Sequence, residues 1–82
     1  MKGIIFTEFL ELVEKKFGLA MVDDIIEESK VESQGIYTSV GTYPSHEMFQ
    51  LIGVLSEKTK LTKDQLLQTY AEYFFNHIEK IA

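Results

Sequence analysis

Apolar residues recur at spacings of three and four in four separate stretches, and that pattern limits the chain to a bundle of short helices. The first stretch runs from about Lys2 to Phe17. It carries Ile5, Phe9, Leu12 and Val13 beside Phe6, Leu10 and Phe17. Glu8, Glu11, Glu14 and Lys15 fill the other side, with Glu11 one turn before Lys15, where an ion pair can form. Gly18 is expected to stop this helix in a left-handed cap. The second stretch, from about Ala20 to Ser29, sets Met21, Val22, Ile25 and Ile26 against an acidic face of Asp23, Asp24, Glu27 and Glu28. Those like charges repel at helical spacing, so packing rather than propensity must hold this helix. The third starts near Pro44-Ser45, with Ser45 as expected N-cap, Glu47 in the electropositive first turn, and a stripe of Met48, Leu51, Ile52 and Leu55. Gly53 within it is expected to mark a close helix–helix approach. The fourth opens on Thr62-Lys63-Asp64-Gln65, a capping box in which Thr62 and Gln65 satisfy each other's backbone amides.

Between the second and third stretches, residues 30–43 carry Gly35, Gly41, Ser33, Ser39 and Thr42 and read as a connection. A free linker would not also carry Ile36, Tyr37, Val40 and Tyr43. Long loops in small domains are tied down by their own anchors, so these four are expected to pin the loop across the helices.

The chain has 82 residues, enough for one domain, residues 1–82. A core that small benefits from a cofactor, a metal or a second copy, and the absence of cysteine excludes disulfides and thiolate metal sites. All eight basic residues are Lys and the net charge is −5, which argues against nucleic acid as a partner. No apolar run approaches a membrane span, and Glu8 and Glu11 follow too soon after the N-terminus for a secretory signal. A cytoplasmic protein without membrane contact is expected. No phosphate loop, zinc spacing or nucleophile–base motif is present, so the chain does not read as an enzyme.

The fourth stretch continues through Leu66, Leu67, Tyr70, Tyr73, Phe74, Phe75, Ile78 and Ile81. Around Tyr73-Phe74-Phe75 it is apolar on several sides, which means burial on several sides. Four short helices leave part of that surface bare. It suits either a ligand that fills the gap or association with a second copy.

Four segments together carry a resemblance to a known family. They are Met1-Lys2-Gly3-Ile4-Ile5-Phe6 with Glu8-Phe9-Leu10; Val22-Asp23-Asp24-Ile25-Ile26; Gly35 through Pro44; and Leu55 through Thr59 with Leu66-Leu67 and Tyr70 through Phe75. In order and in one register, they resemble the opening of bacterial heme nitric-oxide/oxygen-binding (H-NOX) domains. The resemblance implies an all-α fold, the four-helix distal subdomain that lies over one heme face, with the family's proximal α/β half absent. It implies that Ile5 touches the porphyrin, that Phe9 and Phe74 line the distal gas pocket, and that Leu67, Tyr70 and Phe75 lie near it. Such a pocket offers bound oxygen no hydrogen bond and would favour nitric oxide. Ala71 stands where relatives often have Gly.

Heme is therefore the implied cofactor, although the family's proximal histidine and its Tyr-x-Ser-x-Arg propionate motif do not occur in this chain. Of the two histidines, His46 reads as an exposed residue. His77 reads either as a half-buried histidine or as a replacement axial ligand that the family does not use. Two copies each donating His77 would sandwich one heme. The resemblance also implies a histidine kinase or a cyclic-dinucleotide enzyme as the regulated partner. The competing reading is a heme-free interaction module that forms a homo-oligomer through Tyr73, Phe74, Phe75 and Ile78.

Overall fold

A computed structural model describes residues 1–81 and the side chains of residues 1–77. It contains four helices: α1 (Gly3–Phe17), α2 (Leu19–Ser29), α3 (Ser45–Thr59) and α4 (Lys63–Ile81). The chain is all-α; the described residues hold no strand beyond an isolated antiparallel bridge between Lys2 and Thr42. Each apolar stripe turns inward. Phe6, Phe9, Leu12 and Val13 of α1 meet Val22 and Ile25 of α2, Met48, Leu51, Ile52 and Leu55 of α3, and Leu66 and Tyr70 of α4. The acidic residues of α2 stay in solvent, and Glu28 among them pairs with Lys58 of α3.

Helix ends follow local chemistry with two corrections. The capping box forms: Thr62 N–H donates to Gln65 Oε1 at 2.9 Å and Gln65 N–H donates to Thr62 Oγ1 at 3.0 Å. Gly18 ends α1, but its φ of 95° and ψ of 164° lie outside the left-handed helical region. They fall in a region open essentially to glycine alone, which lets α2 begin at the next residue. Ser45 is not the N-cap of α3; Pro44 holds that position in an extended conformation and no side chain caps the helix. The expected Glu11–Lys15 ion pair forms at 3.4 Å.

The long connection packs in part as expected. Tyr37 stacks on Phe6, centroids 4.4 Å apart and planes 14° from parallel, and Tyr43 meets both rings edge-on. Ile36 and Val40 are not anchors; Val40 is 89% exposed. Their place is taken by Glu47, which is 1% exposed and accepts hydrogen bonds from Ser33 Oγ at 3.1 Å and the Tyr37 hydroxyl at 2.8 Å. Charge does not forbid this burial, because both donors point at the carboxylate.

The loop then crosses the start of α1. Gly3 N–H donates to the Gly41 carbonyl at 2.8 Å, and Tyr43 N–H donates to that of Met1 at 2.9 Å. A Cβ at Gly3 would lie 1.7 Å from the Thr38 carbonyl oxygen, so the crossing requires glycine. Gly53 makes no comparable approach; a Cβ there would meet only the end of the Lys63 side chain at 3.9 Å.

Candidate functional site

Helices α1 and α4 share the side chains expected at a pocket: Ile5 and Phe9 on α1, and Leu67, Tyr70, Phe74 and Phe75 on α4. Tyr70 sits at the centre of α4, buried, with its hydroxyl donating to the backbone carbonyl of Ile5 on α1. Its ring meets Phe9 edge-on at 5.4 Å and Phe74 at 5.8 Å. Ile5, Phe9, Tyr70 and Phe74 are thus drawn together where α1 crosses α4. Burial, then the charge of Glu8, holds the Tyr70 hydroxyl well above its ordinary pKa of 10.0, so it stays a neutral donor committed to Ile5.

Leu67 and Phe75 lie outside this cluster, 40% and 71% exposed. With Ala71 between them and Phe74 beside them, they follow helical spacing and give α4 an apolar face with no partner among the described residues. The contact side chain expected at Ile78 lies outside the described residues. Phe9 also lines an open cleft of about 340 Å³, together with Leu12, Val13, Phe17, Leu55, Leu61 and Leu66 and with Lys16 and Thr69.

Of the histidines, His46 is exposed on α3. His77 is half-buried, stacked on Tyr73 with centroids 5.3 Å apart, and its Nε2 is 3.3 Å from Glu8 Oε2. Glu8 is a correction: its place opposite the apolar stripe predicts solvent, yet it is 8% exposed. Its sequence clue is its spacing, three residues after Ile5 and four before Leu12, at the edge of a face broad enough to bury it.

Comparison with known proteins identifies the arrangement. A family model described as Haem-NO-binding matches residues 2–81. The chain belongs to that family. The fold is similar to that of the Fe(II) unliganded H-NOX protein from K. algicida, at 62% identity and a TM-score of 0.94, and of its A71G mutant at 61% and 0.94. It is also similar to the IWP-051-bound H-NOX from Shewanella woodyi in the Fe(II)CO state, at 34% identity and a TM-score of 0.86. The match covers 98% of this chain for the K. algicida protein and 100% for the S. woodyi protein, but 43% of each relative. No curated protein matches the chain significantly. Among the described residues no helix is long and apolar enough to cross a membrane.

The exposed side of α4 has the chemistry that one face of a heme would need. Leu67, Ala71 and Phe75 offer an uncharged apolar surface with the partly buried Phe74 at its edge, and Ile5 is tied to it through Tyr70. They offer no axial ligand there, because the His77 imidazole is engaged with Glu8 and Tyr73. The sequence has no Arg for the propionates.

Proposed function

We propose that this chain is the distal wall of a heme-based nitric-oxide sensor that regulates a signalling enzyme, a histidine kinase or a cyclic-dinucleotide enzyme. Heme, when bound, supplies the iron that takes up the gas. Ile5, Leu67, Phe74 and Phe75 would pack on the porphyrin, and Phe9, Tyr70 and Phe74 would surround the gas. Their aromatic faces exclude water. The observation that carries the reading is the Tyr70 hydroxyl, which donates to the Ile5 carbonyl and is withdrawn from any ligand. Tyr73 sits on a different flank of α4, against Lys15 and His77. A distal wall with no free donor gives bound oxygen no hydrogen bond, whereas nitric oxide does not depend on one. The ferrous heme complex should therefore bind nitric oxide and form no stable oxygen adduct. Phe74→Tyr, which adds a hydroxyl to the wall, should lengthen the life of the oxygen adduct. A stable oxygen adduct in the unsubstituted protein contradicts the reading.

A second reading has one observation in its favour. Phe75 is 71% exposed and Leu67 40% exposed on a helix with no histidine turned to that face. This favours a heme-free module that self-associates through α4. Sedimentation separates the two: Phe75→Glu converts an oligomer to a monomer only under this reading.

A further inference from the structure

Helices α1 and α4 bring together three side chains that the heme reading leaves unused. Glu8 and Glu11 stand one turn apart on α1, and His77 reaches them from α4. One ligand atom from each lies within 4.8 Å of the other two. Glu8 Oε2 and His77 Nε2 are already 3.3 Å apart. Glu8 is 8% exposed, and its Oε2 is buried with no hydrogen bond formed, facing the imidazole as an ion-pair neighbour only. A buried carboxylate oxygen is costly unless a cation or a donor meets it. The Tyr73 hydroxyl, on the residue that stacks on His77, is likewise buried without a hydrogen bond. A cleft of about 220 Å³, lined by Lys15, Tyr73, Asn76 and His77, opens next to the imidazole.

We propose that Glu8, Glu11 and His77 form a site for a divalent transition metal, and that Zn²⁺ is the ion it suits best. The donors are one imidazole nitrogen and two carboxylate oxygens. Zinc accepts such a mixed set with water in the fourth position, whereas Ca²⁺ and Mg²⁺ favour all-oxygen shells. A tetrahedral zinc with bonds near 2.1 Å sets its ligand atoms about 3.4 Å apart. The Glu8–His77 pair meets that spacing, and Glu11 closes the remainder. Glu11 is the member free to move: its side chain is 40% exposed and holds Lys15, which is 56% exposed and returns to solvent. The cleft beside His77 has room for the water. Bound zinc clamps α1 to α4, the pair that frames the Phe9–Tyr70–Phe74 cluster. The site is independent of the heme reading, since none of its ligands belongs to the apolar face.

The test is a titration of the heme-free chain with zinc chloride against a chromophoric chelator, with thermal melts of the same samples. The expected result is one zinc per chain and a raised melting temperature. Replacing a ligand should weaken binding at least about tenfold, the lower bound for losing even an outer partner. His77→Ala at the half-buried rim and Glu8→Gln, which keeps the buried shape, should each do so. His46→Ala should leave binding unchanged. Zinc binding of equal strength in the parent chain and His77→Ala overturns the proposal, as does binding lost on His46→Ala.

Discussion

Tyr37→Phe isolates the hydrogen bond that ties the long loop to α3. The ring keeps its stack on Phe6 and its edge contact with Tyr43, so packing is conserved. Only the hydroxyl that donates to Glu47 at 2.8 Å is removed, leaving the 1% exposed carboxylate with Ser33 alone. Hydrogen bonds to charged acceptors contribute about 1.5–3 kcal/mol, and the half-buried Tyr37 ring puts this one at about 1.5–2 kcal/mol. For a domain of this size, that corresponds to a melting temperature lower by about 6–16 °C. Urea denaturation followed by circular dichroism gives the free energy directly. A double-mutant cycle with Glu47→Gln should return a coupling of about 1 kcal/mol, because both changes weaken one contact. A loss below about 0.5 kcal/mol on Tyr37→Phe refutes the argument that Glu47 anchors the loop.

Gly3→Ala should destabilise by about 1–3 kcal/mol or more in the same urea assay, since the new Cβ meets the Thr38 carbonyl oxygen at 1.7 Å. Thr62→Ala should cost about 1 kcal/mol by removing half of the capping box, and thermal melts will show whether it does. Alkaline pH should unfold the protein. Burial and then the carboxylates Glu8 and Glu47 raise the Tyr70 and Tyr37 hydroxyls above their ordinary 10.0. Their contribution is complete below pH about 10. Above it the unfolded chain sheds protons that the folded chain keeps, and stability falls by up to about 1.4 kcal/mol per pH unit per tyrosine, less for the more exposed Tyr37. Tyr70→Phe should flatten that fall; a parent chain whose stability does not change from about pH 9 to 12 contradicts the assignment.

Periodicity made the helices and most of the core readable, because a stripe at spacing three and four has one place to go in a small bundle. It named Phe6, Phe9, Leu12, Ile25, Leu51, Leu55 and Tyr70, all of them buried. The capping box was equally legible, since its two bonds are local. The misreadings share a cause: they depend on what arrives from elsewhere in the chain. Glu8 and Glu47 carry charges that predict solvent, and their burial rests on His77 beside Glu8 and on Tyr37 and Ser33, which donate to Glu47. Ile36 and Val40 are apolar in a loop that has no room to turn them inward once Tyr37 and Tyr43 have stacked. The close approach belongs to Gly3, where the loop crosses, and not to Gly53. In the candidate site, residue spacing pointed to Ile5, Phe9, Tyr70 and Phe74 as apolar. That the Tyr70 hydroxyl is spent on Ile5 is a contact across 65 residues, which no local pattern carries.

The most direct test of the heme reading is a hemin titration of the purified chain with free imidazole as a surrogate axial ligand, read by the Soret band. The account predicts a saturable complex of one heme per chain that is lost on Phe74→Glu and retained on His46→Ala. A Soret band indifferent to the chain, or a complex that survives Phe74→Glu unchanged, would contradict the assignment of this helical face to heme.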